Sequence, residues 1–348
     1  MDSPAPASNL DAPGLPGFFA TGLLAGSANR AAFGCFALAG ALGLASCASG
    51  SDQSKPGAQE SATPAAQTAA ALPPGNDARK EPGFSEYWYQ GKAEMNVFDL
   101  EQARYGEIRA GQAVLIFVTE DYSRKKLVKL DEPREAGDDA VPVLKLNFTR
   151  DFPTGIYTYK TMQSVFSPLD RSRDPRALKS TTSVQEWCGH VYMDVHRSGS
   201  GYEAEVRSYF EGESVQETAL GDVFLEDEVW ALIRLDPNAL PTGSFQAIPG
   251  SLDIRLRHLP LTATGAEASL SRSEDGNMVY EIRYPERDRT LRVYFERDFP
   301  RAITSWEETV DSWGKTLTTK AVRRQQVMDD YWSHNSVSEE PMRKALGL

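Results

Sequence analysis

The sequence predicts a mainly β fold: large curved antiparallel sheets, in two related halves, with a few short helices that include the C-terminus. Three observations predict it: segments that alternate apolar and polar side chains as half-buried strands must, short turn-forming clusters between them, and one motif that recurs. Leu291, Val293 and Phe295 point one way while Arg292, Tyr294 and Glu296 point the other. Met278, Tyr280, Ile282 and Tyr284 alternate with Val279, Glu281 and Arg283, and Pro285-Glu286-Arg287-Asp288 joins these two strands as a hairpin. Arg197 to Gly201 supplies a second hairpin turn, and Arg109-Ala110-Gly111-Gln112 a third, ahead of the apolar run Ala113 to Val118. Long strands joined by short turns imply an extensive antiparallel sheet with one wet face. Helix signals are few: Glu226 to Leu235, with Val229, Leu232 and Ile233 on one side; Met328 to Trp332; and Glu339 to Leu346, with Pro341 tolerated in a first turn. The recurring motif runs from Phe148 to Ile156 and from Phe295 to Ile303, matching at Phe, Arg, Asp, Phe, Pro and Ile. It suggests duplicated halves, about 84–175 and 176–325, each with an equivalent corner. A ligand site built on those corners would use Arg150, Asp151, Arg297 and Asp298.

Composition divides the chain of 348 residues. Ala, Ser, Pro and Gly crowd the first 80 positions, and the large apolar residues lie mostly after Phe84. Lys and Arg number 37 against 49 Asp and Glu, a formal charge of −12, which argues against nucleic acid as a partner because phosphate neutralisation needs clustered cations. Ala31 to Ala45 is an uncharged small or apolar run directly after Arg30. It is shorter than the ~20 residues of a membrane span and fits the apolar region of an export signal. The run ends in Leu44-Ala45-Ser46-Cys47, which resembles the lipobox of bacterial lipoproteins. The resemblance implies removal of residues 1–46, diacylation of Cys47 and attachment to a membrane through lipid. Ala48 and Ser49 after the cysteine then imply the outer membrane in a Gram-negative source. Residues 47–83 read as the lipidated cysteine and a tether too poor in apolar side chains to fold, and residues 84–348 as the β-rich domain with its helical tail.

The most chemically suggestive segment is Glu186 to His196. Strand alternation puts Trp187, Val191, Met193 and Val195 on the buried face and Glu186, Cys188, His190, Tyr192, Asp194 and His196 on the other. Cys188 and His190, two apart on one face, have the residue types of a thiolate–imidazolium pair, or of a metal site completed by Asp194. The plainer alternative is a small cysteine buried under an opposite layer, with the polar side chains on a wet face. No Ser nucleophile elbow, P-loop or dinucleotide fingerprint occurs, and no cofactor is expected. Tyr87-Trp88-Tyr89, Trp306, Trp313 and Trp332 either fill the core of a wide sheet or line a groove for lipid or glycan.

The patterns Gln102-Ala103-Arg104-Tyr105-Gly106-Glu107, Glu186-Trp187-Cys188-Gly189-His190 and Phe295 to Pro300 resemble an uncharacterised family of β-rich envelope lipoproteins, some of which carry the label septum formation inhibitor Maf. The chain lacks the Ser-containing, Arg-rich phosphate-binding loop with which Maf nucleotide pyrophosphatases open. The reading taken forward is a non-enzymatic, membrane-tethered β-sheet module that binds a lipid, glycan or protein of the cell envelope. Its alternatives are a metal- or thiol-dependent enzyme using Cys188 and His190, and a purely structural envelope component.

Overall fold

The computed structural model describes Pro73, residues 75–199 and residues 201–348. The export signal, the lipobox with Cys47 and the tether up to residue 72 lie outside the described residues. The first half of the domain is a meander of β1 (Ala93–Arg104), β2 (Glu107–Ser123), β3 (Val128–Lys129), β4 (Ala140–Thr154), β5 (Tyr157–Pro168), β6 (Lys179–Glu186), β7 (Gly189–Ser198), β8 (Gly201–Ser208) and β9 (Val215–Gly221). The second contains β10 (Phe224–Leu225), β11 (Gly243–Ile248), β12 (Thr264–Arg272), β13 (Met278–Tyr284), β14 (Arg289–Phe295), β15 (Ile303–Asp311) and β16 (Thr316–Asp329). Helices are short: α1 (Phe84–Trp88), α2 (Pro133–Ala136), α3 (Val229–Leu235), α4 (Ser251–Leu256) and α5 (Glu340–Ala345).

All sixteen strands belong to one sheet, antiparallel except for the β10–β11 pair. β16 pairs with β1 and so joins the two meanders, leaving β9 and β10 as the ends of the strand order although only two residues separate them in the chain. The ends meet by packing. In β10 and β11, Phe224 and Ala247 face the main core, while Leu225 and Ile248 join a second core with Val191, Met193, Val195, Tyr202 and Ala204 of β7 and β8. The short edge strand β10 is thereby buried on both faces, one way of covering an otherwise open sheet edge.

The curved sheet encloses the segment between β10 and β12. Residues 226–228 form a 3-10 turn leading into α3, and every residue from Glu226 to Leu235 is buried. The helix expected over Glu226 to Leu235 is therefore present, but it is apolar or paired all round, because it runs through the interior instead of lying on a surface. Trp230 contacts Phe148 of β4 and Trp306 of β15, with ring centroids 5.0 and 5.4 Å apart. The charges it carries inward are matched one by one. Glu226 binds Arg289 of β14 at 2.6 Å; Asp227 accepts from Ser180 of β6 at 2.7 Å and from the Ser251 amide at 2.9 Å; Glu228 meets Arg171 at 3.2 Å. Arg234 forms a two-pronged pair with Glu94 of β1, one arm at 2.6 Å, and both side chains are fully buried.

Several expectations hold. The β13–β14 and β7–β8 hairpins have the turns expected, and α5 falls within Glu339 to Leu346. Others are corrected. Arg109 to Gln112 is no turn: β2 runs straight through it, and the turn lies at Tyr105-Gly106. Gly111 is there because a Cβ would collide with Asp151 and Phe152 of β4. Met328 lies in β16, which ends at Asp329, and only Tyr331–Ser333 turn, as a single 3-10 element. The ordered domain begins before Phe84: Asn76 binds Asp236, Ala78 is buried, and the Ala78 amide donates to Leu169. The meanders divide at residues 222–223, not near 175.

Removing one partner of the Glu94–Arg234 pair leaves a buried uncompensated charge, a change that typically costs ~3–5 kcal/mol. Glu94→Ala should lower the unfolding free energy by about that much in urea titration. Combining it with Arg234→Met should recover a large part of the loss; a double variant less stable than the single would show that the pair is not what holds α3 to β1.

Candidate functional site

The interior is filled. Around Arg150, Glu226, Asp253, Arg289 and Glu308 the free space is about 10 Å³, enough for one water at most. Arg289 lies at 2.8 Å from Glu308 as well as on Glu226, and Arg150 donates to Glu308 at 3.4 Å and to Gln102 at 3.3 Å. Burial pushes the Asp253 carboxyl up to about 6, against the pull of Arg289. This network is a packed core of compensated charges.

The motif-derived site does not assemble. Arg150 is inside, held to Glu308; Asp151, on the next position of β4, faces outward; Arg297 and Asp298 are exposed on the β14–β15 connection. The two copies sit at opposite ends of the sheet, since the β4–β5 turn and the β14–β15 connection follow strands running in opposite directions. Sequence identity carries no strand direction, which is why the copies looked equivalent.

The Cys188 segment is also redistributed. Val191, Met193 and Val195 face the second core, with His190, Tyr192, Asp194 and His196 on the outer face. Cys188 and Trp187 are neither on a strand nor buried: they form the two-residue turn between β6 and β7. The buried-cysteine alternative fails with them. The Cys188 amide donates to Glu186 at 2.7 Å, and hydrogen bonding to that carboxylate together with its charge pushes the thiol up, the reverse of activation. Asp194 is taken by Lys179 at 2.7 Å and His196 at 3.0 Å. Cys188, His190 and Asp194 do not come within common reach of a metal ion among the described residues.

What the structure offers instead is a groove of about 1040 Å³ on the outer face of the sheet. Val114 and Ile116 of β2, Met162 of β5 and Val327 of β16 form an apolar floor; Met342 and Leu346 roof it from the C-terminal tail. Asp151, Lys160 and Gln185 mark one end. Volumes of roughly 300–1,000 Å³ with mostly apolar walls and a few polar groups are typical of small-molecule sites. One signal pointed to it, the outward apolar residues Val114 and Ile116 on β2 where a wet face should be polar.

The tail is attached by polar contacts and buries none of the residues of α5. Arg324 holds Asp99 at 2.6 Å and the carbonyls of Leu346 and Gly347 at 3.0 and 3.2 Å. At the other end of the tail His334 sits between Glu339 at 2.8 Å and Asp329 at 3.2 Å, with Asp330 4.0 Å away. Asp329, Asp330 and His334 are close enough to share a cation, but both imidazole nitrogens already face carboxylates, the pattern of an imidazolium clasp. Of the singled-out aromatics, Trp88 and Trp306 are core, while Trp313 and Trp332 are exposed.

No family model matches the chain, and no curated protein matches it. Among solved structures, the beta-barrel-like protein of domain of unknown function DUF1849 from Brucella abortus is similar over 69% of this chain and 98% of its own, at 10% identity and a TM-score of 0.41.

Two outcomes follow. Cys188 in the folded protein should react with thiol reagents as an exposed thiol whose rate rises only at alkaline pH, unaltered by His190→Ala, and Cys188→Ala should leave the melting temperature unchanged. Fast labelling at pH 7 that His190→Ala abolishes would restore the catalytic pair. The His334 imidazole is raised by the Glu339 hydrogen bond and then by the Asp329 charge. A raised folded-state value means the clasp contributes fully below the ordinary ~6.5 and is lost as pH rises through the raised value. An NMR titration of the His334 ring should have its midpoint above ~6.5, with Glu339→Gln moving it down; a midpoint at or below 6.5 would remove the clasp.

Proposed function

We propose that the protein is a lipid-anchored envelope module without catalytic activity, and that the groove beneath its C-terminal tail binds an amphipathic envelope molecule with an aliphatic portion. The observation that carries the binding reading is the groove itself: an apolar floor supplied by β2, β5 and β16, polar groups at its two ends, and a roof that is attached by ion pairs instead of packing. A roof of that kind can lift without uncovering a core. The unactivated Cys188 thiol and the separation of Cys188, His190 and Asp194 favour binding over chemistry.

The anchor rests on the apolar run and Leu44-Ala45-Ser46-Cys47. Acyl chains contribute ~0.8 kcal/mol per buried methylene, and more than one chain makes attachment stable. The two parts of the reading are tested separately. Cells expressing the chain should incorporate labelled fatty acid into it, and Cys47→Ser should abolish incorporation; label retained by that variant would end the lipoprotein assignment. The chain from Ala48 to Leu348 should bind a fluorescent fatty acid such as dansyl-undecanoate. Met162→Glu on the groove floor should weaken that binding at least about tenfold, since it places a charge against apolar wall. Equal binding by parent and variant would place the probe elsewhere and remove the groove as the site.

A further inference from the structure

We infer that the end of the sheet carrying the β1–β2, β4–β5, β6–β7, β8–β9 and β15–β16 turns is a membrane-contact surface, inserting aromatic and aliphatic turn tips into the interfacial zone of a lipid bilayer. Successive antiparallel strands place these five turns at one end, beside the charged β13–β14 turn and the β11–β12 connection. Four of the five most exposed large apolar residues of the described chain lie on them: Ile156 at 86%, Trp313 at 77%, Trp187 at 75% and Tyr209 at 68%. Two of them, Trp313 and Trp187, are the ends of a continuous aromatic array. Trp313 packs on Tyr105 at 5.2 Å between ring centroids, Tyr105 on Tyr159 at 6.4 Å, Tyr159 on Tyr157 at 5.8 Å, and Tyr157 on Trp187 at 6.4 Å.

The array is held in place from below. Arg104 lies 4.1 Å from the centre of the Tyr105 ring and donates to the Tyr159 hydroxyl at 2.8 Å, and the two tyrosine hydroxyls are 2.6 Å apart. Tyr209 covers Gly189 so closely that a Cβ there would strike its ring. The tips are therefore presented on a fixed frame. Trp and Tyr favour the boundary between water and hydrocarbon, where an apolar ring and a polar tip are both satisfied. Ile156, the most exposed of the set, gains nothing from stacking on a sugar but does gain from entering lipid. The formal charge of −12 gives the chain as a whole no attraction to anionic headgroups.

The orientation is compatible with the anchor, on whose existence this placement in the cell rests. The chain enters the domain at the opposite end, where Asp77 bridges Asp170 beside the β5–β6 connection. The longest strand, β2 with 17 residues, spans roughly 55 Å. The residues between Cys47 and Gly75 could reach about 95 Å when fully extended, far enough for the turn end to meet the membrane that holds the lipid.

The test uses the chain from Ala48 to Leu348, which keeps every described residue and carries no acyl group. It should float with neutral phosphatidylcholine–phosphatidylethanolamine vesicles, with about the same partition at low and high salt. Trp187→Ser combined with Trp313→Ser should weaken partition at least about tenfold, whereas Trp332→Ser, exposed at the other end, should leave it unchanged. Bromine-labelled lipids should quench emission in the parent and far less in the double variant. If the double variant fails to fold, quenching of the parent compared with Trp332→Ser decides alone: quenching undiminished by Trp332→Ser supports the contact. Absence of flotation, partition unaffected by the double substitution, quenching that depends on Trp332, or binding to peptidoglycan in place of vesicles would each overturn it. Because no acyl group is present, a negative fatty-acid assay leaves a positive vesicle result standing, and inert vesicles leave acylation standing.

Discussion

The structure depends on one constraint: a curved sixteen-stranded sheet must have something inside it, and this chain fills the space with its own middle. The filling segment begins with three consecutive acids, Glu226, Asp227 and Glu228, all buried. Each ion or hydroxyl partner comes from a different part of the domain: Arg289 from β14, Ser180 from β6, Arg171 from the β5–β6 connection. Arg234 reaches a fourth place, Glu94 on β1. An unpaired charge in such surroundings is strongly unfavourable, so the segment can sit in only one register. The same contacts bind the two meanders to each other through a third element. Hydrogen bonding between β16 and β1 could not alone fix how tightly the sheet curls.

Filling the interior decides where binding can occur. With about 10 Å³ left beside the charge network, nothing larger than water enters, and the outer face and the turn ends are what remain for a partner. On the outer face the roof of the groove is built differently from the core. Inside, α3 contributes Val229, Leu232 and Ile233 to apolar packing; in the tail, α5 contributes no buried residue and the attachment is carried by Arg324 and His334. Exposed ion pairs are weak and screened by salt, whereas buried apolar packing is neither. The domain and its tail therefore differ in the ease with which they separate, and the sequence of loosening on any perturbation begins with the tail.

The strands were legible because alternation reports burial directly. Leu291, Val293 and Phe295 are buried and Arg292 and Tyr294 less so, as the pattern required. What misled was punctuation. Gly111 has the look of a turn residue, yet its missing side chain serves a close strand approach to Asp151 and Phe152. Trp187 fitted the alternating run that follows it, but alternation has no meaning once two residues leave the ladder to turn. The Phe148 and Phe295 motifs match in residue type and lie at opposite ends of the sheet, because whether a connection falls at the top or bottom depends on the parity of strands counted along the chain. The groove was hidden for a further reason: its roof and floor come from strands and a tail far apart in sequence.

The two outer surfaces share a support. β4 supplies Thr149 and Asp151 to the groove wall, and its turn with β5 carries Ile156; β5 supplies Lys160 and Met162 and continues from Tyr157. From Asp151 to Gly155 is roughly 13 Å along the strand. The groove therefore has polar groups on the side of the aromatic turns, at Asp151 and Lys160, and again at its far end, at Asp329, His334 and Glu339, with the apolar floor between them. A molecule lying in the groove with its aliphatic portion on Val114, Ile116 and Met162 would find a polar partner at either end, so the charge pattern aligns an occupant along β4 and β5 and admits it either way round.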